Sequence, residues 1–308
     1  MASGTVTFCP LSKAAKQMHN NRTNSKAETE IIAQLLPRDA FLDMSEFHVF
    51  LEDNNLVESS QGPFGQVWKA KWADQTVGLK VAYFDAFTAR TFSRDMTGLL
   101  RSERHPCVLQ LHGVVSTGWD ILLVLEHAPG PSLVQAIHSS KMIKRVSWRG
   151  LSGRTIAVDI ASGLRHLHGC DVILRDVNPT LTEGLKHAKL PGFNLDLIRR
   201  RPASRSSVSV FPGHLPYPCE EWRAPEVRAR HRVNICAKAD VFSIGAILFE
   251  MVMQESADIH MQGIKPQVRR QCSQEVFDLI EACMAVDPNA RPTSEHVFNV
   301  LSSMASAA

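Results

Sequence analysis

The sequence has no paired cysteines, no long apolar run and no strong excess of either charge. Its seven cysteines stand at 9, 107, 170, 219, 236, 272 and 283 without a CxxC spacing, which removes zinc ribbons and dithiol redox motifs. An odd, unpatterned set suits a reducing compartment. No stretch reaches the roughly 18 apolar residues of a membrane span. The best run, Val241 to Met253, is broken by Glu250. The first residues lack the apolar centre of a signal peptide, and Ala2 stands where a myristoylation signal needs glycine. These absences predict a soluble, cytoplasmic protein with no membrane span. Lys plus Arg is 34 against 31 for Asp plus Glu, a net charge of +3, so no basic excess calls for a nucleic-acid partner. What is present is ordinary for a globular chain: 308 residues, 44% hydrophobic and 21% charged. That length predicts about two units and a sizeable core.

Residues 1–47 read as an N-terminal extension. Met1 to Asn24 is polar with basic residues and is expected to be a flexible arm. Ser25-Lys26-Ala27-Glu28 has the form of a capping box. Ala27, Ile31 and Leu35, with Ile32 and Leu36, follow at helical spacing until Pro37 stops the run. One amphipathic helix is expected, packed on the main domain or offered to a partner. From 48 to 127 the pattern is mainly strands: Gln66 to Trp72, Val77 to Tyr83, Val108 to Leu111 and Ile121 to Leu125, with a helix over Phe87 to Arg104. After Pro129-Gly130-Pro131 the pattern turns helical, and Val241 to Met251 is apolar almost all round, hence deeply buried. Strands followed by helices predict an α+β chain in two lobes, 48–127 and 128–303, with a hinge near 126–131.

Ser60-Gln61-Gly62-Pro63-Phe64-Gly65-Gln66-Val67 is a glycine-rich turn between two strand-like segments. Glycines let a backbone approach phosphates, and they equally serve an ordinary hairpin. No Lys-Ser or Lys-Thr follows, so this is no Walker loop, and no helix follows, which argues against a dinucleotide fold. Further on, Lys80 sits mid-strand in Val77-Gly78-Leu79-Lys80-Val81. A lysine there needs an anionic partner or an edge from which it reaches water.

At this point the sequence resembles the protein kinase domain. The resemblance rests on Arg104-His105-Pro106 through Gly113, Leu123-Val124-Leu125-Glu126-His127, Pro129-Gly130-Pro131-Ser132-Leu133, Ile160 through His168, Trp222-Arg223-Ala224-Pro225-Glu226, Asp240 through Gly245, and Asp287-Pro288-Asn289-Ala290-Arg291-Pro292-Thr293. The motifs fall in order over residues 48–303. They imply a two-lobed fold, a small mainly-β N-lobe and a large helical C-lobe, with a tyrosine-kinase-like flavour.

The resemblance also says what each site residue should do. Phosphoryl transfer is mostly positioning and charge neutralisation. Asp176, in Leu174-Arg175-Asp176-Val177-Asn178, falls at the catalytic base, and Lys80 at the lysine that holds the α- and β-phosphates. Asn178 replaces a lysine that meets the transferred phosphate. Asp95 is the candidate counterion of Lys80, one methylene shorter than the usual glutamate. Ser60, Gly62, Gly65, Val67, Gly78, Leu125, Glu126 and Ala128 fall around the nucleotide, with Leu125 at the gatekeeper position. Gly78 replaces an alanine and is expected to leave a gap. The two metal-ligand positions carry Gly192 and Leu181, which offer no side-chain oxygen, so a magnesium site is not expected. Glu226, Asp240 and Arg291 are expected to be structural. Ser204, Ser206 and Ser207 follow Arg199-Arg200-Arg201 in the loop where kinases are regulated. The resulting expectation is a pseudokinase that acts as scaffold or allosteric partner for other proteins, with ATP bound without magnesium. The alternative is an unusual serine/threonine kinase working through Asp176 and Lys80. A third reading is an interaction module that binds no nucleotide.

Overall fold

In a computed structural model, residues 6–19, 26–52, 55–56, 58–62, 65–82, 89–118, 120–192, 220–228, 235–254 and 271–306 are described. The chain divides into two compact units. Met1–Glu103 and Leu109–Pro129 belong to the first; Arg104–Val108, Gly130–Phe193 and Pro216–Ala308 belong to the second.

Among the described residues the first unit is an antiparallel sheet with three α-helices. Its strands are β1 (Val6–Pro10), β2 (Phe47–Glu52), β3 (Asn55–Leu56), β4 (Glu58–Gly62), β5 (Gly65–Trp72), β6 (Gln75–Ala82), β7 (Leu111–Ser116) and β8 (Ile121–Glu126). The main path runs β1-β2-β5-β6-β8-β7, with β3 beside β2 and β4 beside β5. Strand β5 shows why these residues form a sheet. Trp68 and Ala70 turn into the core while Lys69 and Lys71 alternate outward, the period-two pattern of a strand with one buried face. β6 and β8 lie centrally and are buried along most of their length, which suits Val77, Leu79, Val81, Leu122 and Val124.

Helices α1 (Leu11–His19), α2 (Lys26–Leu35) and α3 (Ala89–Arg101) complete this unit. The expected flexible arm is, over its described residues, a strand and a helix. β1 pairs with β2 from Val6↔Glu52 to Pro10↔His48, and α1 buries Leu11 and Ala14 in the core beneath the sheet. A polar composition concealed this because an edge strand and a one-sided helix need few apolar residues. Ser25 of the expected capping box lies outside the described residues. On α2 the buried positions are Thr29 and Ile32, followed by Leu36, while Ile31 and Leu35 stay exposed. α2 packs against α3, where Ser93 Oγ donates to the Leu35 carbonyl at 2.9 Å. The strand expected at Val108 to Leu111 begins instead at Leu111. Val108 bridges to Leu190 within the second unit.

The second unit is helical. It contains α4 (Leu133–Ile137), α5 (Ile143–Val146), α6 (Gly153–Gly169), a hairpin of β9 (Thr180–Thr182) and β10 (His187–Lys189), then α7 (Pro225–Arg228), α8 (Lys238–Met253), α9 (Gln274–Cys283) and α10 (Ser294–Ser306). α8 is buried from Ala239 through Val252, as its all-round apolarity requires. α9 packs on α8 and α10 on α6. α4 opens on a reciprocal capping box: Ser132 Oγ accepts from the Gln135 amide and Gln135 Oε1 accepts from the Ser132 amide.

Candidate functional site

In the first unit the glycine-rich turn is a β-hairpin. Ser60 pairs with Val67 and Gly62 with Gly65. Next in the sheet, β6 sets Gly78 opposite Leu125 and Lys80 opposite Leu123 on β8. Lys80 is only 3% exposed, so this is no edge lysine reaching water; its cation is enclosed. The gap expected beside Gly78 is closed. A Cβ built on Gly78 would stand 3.0 Å from Val67 Cγ1, so the Val67 branch occupies the space that a methyl would fill. Asp95 on α3 is equally buried, and its Oδ1 accepts from Arg94 Nε at 3.3 Å and Nη2 at 3.1 Å. β8 ends at Glu126, whose amide donates to the Gln110 carbonyl at 2.8 Å and whose Oε2 accepts from the Gln110 amide at 3.3 Å. His127 and Ala128 follow, half-buried. Burial lowers the His127 pKa, and Lys69 lowers it further.

In the second unit the loop after α6 is held by a carboxylate from α8. Asp240 is fully buried and accepts the amides of Leu174 at 2.8 Å and Arg175 at 2.6 Å. Its Oδ2 also lies 3.0 Å from His168 Nε2, and His168 Nδ1 lies 2.8 Å from Ser294 Oγ. These bonds hold Arg175 at φ +60°, a left-handed conformation that costs an L-residue about 1–3 kcal/mol. The next residue, Asp176, is 2% exposed, and its Oδ2 accepts from Arg223 Nη2 at 3.2 Å. Asn178 is completely enclosed, and among the described residues neither its amide nitrogen nor its oxygen meets a hydrogen-bond partner.

After the loop, the Leu133 amide donates to the Pro179 carbonyl and the Leu181 amide to the Pro131 carbonyl. This brings the Leu181 carbonyl against Gly130, where a Cβ would sit 1.7 Å from the oxygen. Only glycine fits there. On the other side of α8, Arg291 places Nη1 2.6 Å and Nη2 2.9 Å from the two Glu226 oxygens. Its remaining donors reach the carbonyls of Ala285, Val286 and Lys238.

Residues 56–301 match the family model for protein tyrosine and serine/threonine kinases. The chain belongs to that kinase family. It is 26% identical over 267 residues to the probable serine/threonine-protein kinase drkB of Dictyostelium discoideum, covering 80% of this chain and 36% of the relative. It is 27% identical over 263 residues to drkC of the same organism, covering 79% and 34%. It is 25% identical over 309 aligned residues to the serine/threonine-protein kinase CTR1 of Arabidopsis thaliana, covering 94% and 36%. The kinase chain thus spans about a third of the length of these relatives.

A kinase fold implies ATP and magnesium, and the two fare differently against the residues present. Lys80 lies on the strand after the glycine hairpin and is enclosed. At the two positions that the sequence aligns with metal ligands, Leu181 is an enclosed apolar side chain and Gly192 has none, so neither offers a side-chain oxygen. Ser204, Ser206 and Ser207 lie outside the described residues. Arg223 had no assigned role in the sequence reading, because its partner Asp176 lies 47 residues away and no local pattern links them. Among the described residues no helix is long and apolar enough to cross a membrane.

Proposed function

We propose that this kinase-family chain is a pseudokinase, a cytoplasmic scaffold or allosteric partner for other signalling proteins that binds ATP without magnesium. The carrying observation is the pair Leu181 and Gly192 at the metal-ligand positions, one closed into the core and the other without a side chain. Magnesium takes hard oxygen ligands, and a kinase that forfeits the metal loses several kcal/mol of transition-state stabilisation. Two further features support the reading. The Asp176 carboxylate is buried against Arg223, and Asn178 is sealed where a lysine would meet phosphate. In this reading ATP lies against the hairpin glycines Gly62 and Gly65 with Ser60, Val67, Gly78, Leu125, Glu126 and Ala128, and Lys80, oriented by its counterion Asp95, neutralises charge on its phosphates. Phosphate on Ser204, Ser206 or Ser207 would meet the neighbouring arginines and alter the loop.

Lys80, Asp176 and the descriptions of the relatives favour the second reading, an unusual serine/threonine kinase. The two separate in one experiment, the ATP-induced melting shift with magnesium and with EDTA. The pseudokinase reading expects the same shift in both, lost in Lys80→Met. A shift that requires magnesium, together with phosphotransfer to protein hydroxyls that Asp176→Asn abolishes, establishes the kinase instead.

A further inference from the structure

Two ion pairs, joined by hydrogen bonds from charged side chains to backbone, form a closed circuit in the second unit. From α8, Asp240 takes the amides of Leu174 and Arg175. The next residue, Asp176, takes Arg223 Nη2 at 3.2 Å. Three residues on, Glu226 takes the fork of Arg291 at 2.6 and 2.9 Å. Arg291 Nη1 then returns to α8 by donating to the Lys238 carbonyl at 3.0 Å. The path leaves α8, crosses the loop, enters the segment that opens α7, and comes back to the first turn of α8. Every carboxylate and guanidinium on it is buried or nearly so.

We infer that Asp176 serves as a structural latch, with Arg223 as its counterpart, fastening the segment that opens α7 to the loop at 174–176. The inference rests on the non-catalytic reading of this site and says what the aspartate does there instead. A catalytic base must be open to a hydroxyl. Asp176 is closed from solvent, and one of its oxygens is already held by a cation from the α7 side of the same chain. The cation also has a reason to be there. With Asn178 at the lysine position, the loop offers no lysine of its own between Arg175 and Lys186, so a distant arginine supplies the charge. Removing one partner weakens the compensation of the other's enclosed charge, so each single loss should cost stability that the double loss partly restores.

This differs from an active-site aspartate in sign. Catalytic residues are commonly held at a cost to stability, and replacing them tends to leave a fold as stable or more so. A latch behaves the other way. The test is a double-mutant cycle on the full chain: wild type, Asp176→Asn, Arg223→Met and the double variant, followed by thermal melting and by amide hydrogen exchange at Val227 and Arg228. Both amides, in α7, bond to the carbonyl of Ala224, just before the helix. Each single variant is expected to lower Tm by about 5 °C or more. The double variant is expected to lose less than the sum, because it strands no charge. Exchange at Val227 and Arg228 is expected to rise tenfold or more in each single variant, ahead of amides in the middle of α6. Should a single variant be insoluble, Arg223→Lys keeps the charge, and partial protection of the same two amides supports the latch.

An unchanged or raised Tm in Asp176→Asn, or purely additive losses, overturns the inference. The reading it rests on fails separately: magnesium-dependent phosphotransfer by the wild type would refute the pseudokinase while leaving the melting cycle to decide the latch.

Discussion

Replacing Arg291 by methionine is the most severe single change the second unit offers. The guanidinium is buried, and its five N–H groups are matched by contacts to both Glu226 oxygens and to the carbonyls of Ala285, Val286 and Lys238. It also stacks 5.0 Å from the Phe242 ring centroid. Methionine fills part of the volume and satisfies none of those acceptors. Glu226 is then left as a mostly buried carboxylate without a cation. Breaking a buried pair from one side costs about 3–5 kcal/mol. At about 2–4 °C of Tm per kcal/mol for a unit of this size, the expected loss is roughly 6–20 °C. Far-UV circular dichroism is the assay, since the helices α6, α8, α9 and α10 all lie in the second unit. Glu226→Gln, which keeps two acceptor lone pairs on its oxygen, should cost less than Arg291→Met. Adding it to Arg291→Met should recover part of the loss by removing the stranded charge. A drop under about 1 kcal/mol for Arg291→Met would refute the reasoning, because that is the scale of an exposed pair.

Gly130→Ala places a methyl 1.7 Å from the Leu181 carbonyl oxygen, so the segment must move and break the Leu181-to-Pro131 bond; soluble yield or Tm should fall sharply, while Gly169→Ala, with open space around it, should stay within about 1 kcal/mol of wild type. Removal of residues 1–19 strips β1 from the sheet and uncovers the site of Leu11, worth about 1.5–3 kcal/mol for that side chain alone. The truncated chain should therefore melt earlier, and an unchanged melt would show that the strand is dispensable. The last prediction concerns pH. Burial lowers the His105 pKa below its ordinary 6.5, assisted by His166 and Arg165 and opposed by Asp159. The unfolded chain then holds the proton more readily than the folded one, so this stability is complete above 6.5 and is lost as pH falls through the lower folded value. Melting from pH 7.5 to 5 should decline, and His105→Asn, which keeps an acceptor for the Cys107 amide, should flatten the decline.

Much of the fold was legible because its signals are local. Alternation in Gly65 to Trp72 marks a strand, and apolarity almost all round in Val241 to Val252 marks a central helix. The glycine turn, Lys80, Asp176 and the Trp222 to Glu226 run were recognisable in place and in order. The N-terminal strand escaped because Val6 to Pro10 has no turn partner nearby; its partner β2 begins at Phe47. The strand expected at Val108 went astray for a related reason, since Val108 answers to Leu190 rather than to its own neighbours.

Sequence alone was enough for the α+β class, the succession of a strand-rich part by a helical one and the membership of a kinase family, because period, turn chemistry and motif spacing are written within a few residues of one another. It was also enough to show that Gly192 and Leu181 bring no oxygen to a metal. Only the tertiary structure decided that Val67 closes the space beside Gly78, that α2 lies on α3, and that Arg223 reaches Asp176 across 47 residues. Those contacts depend on where whole elements come to rest, and a charge or a methyl finds its partner only once the packing of the core has brought distant parts of the chain together.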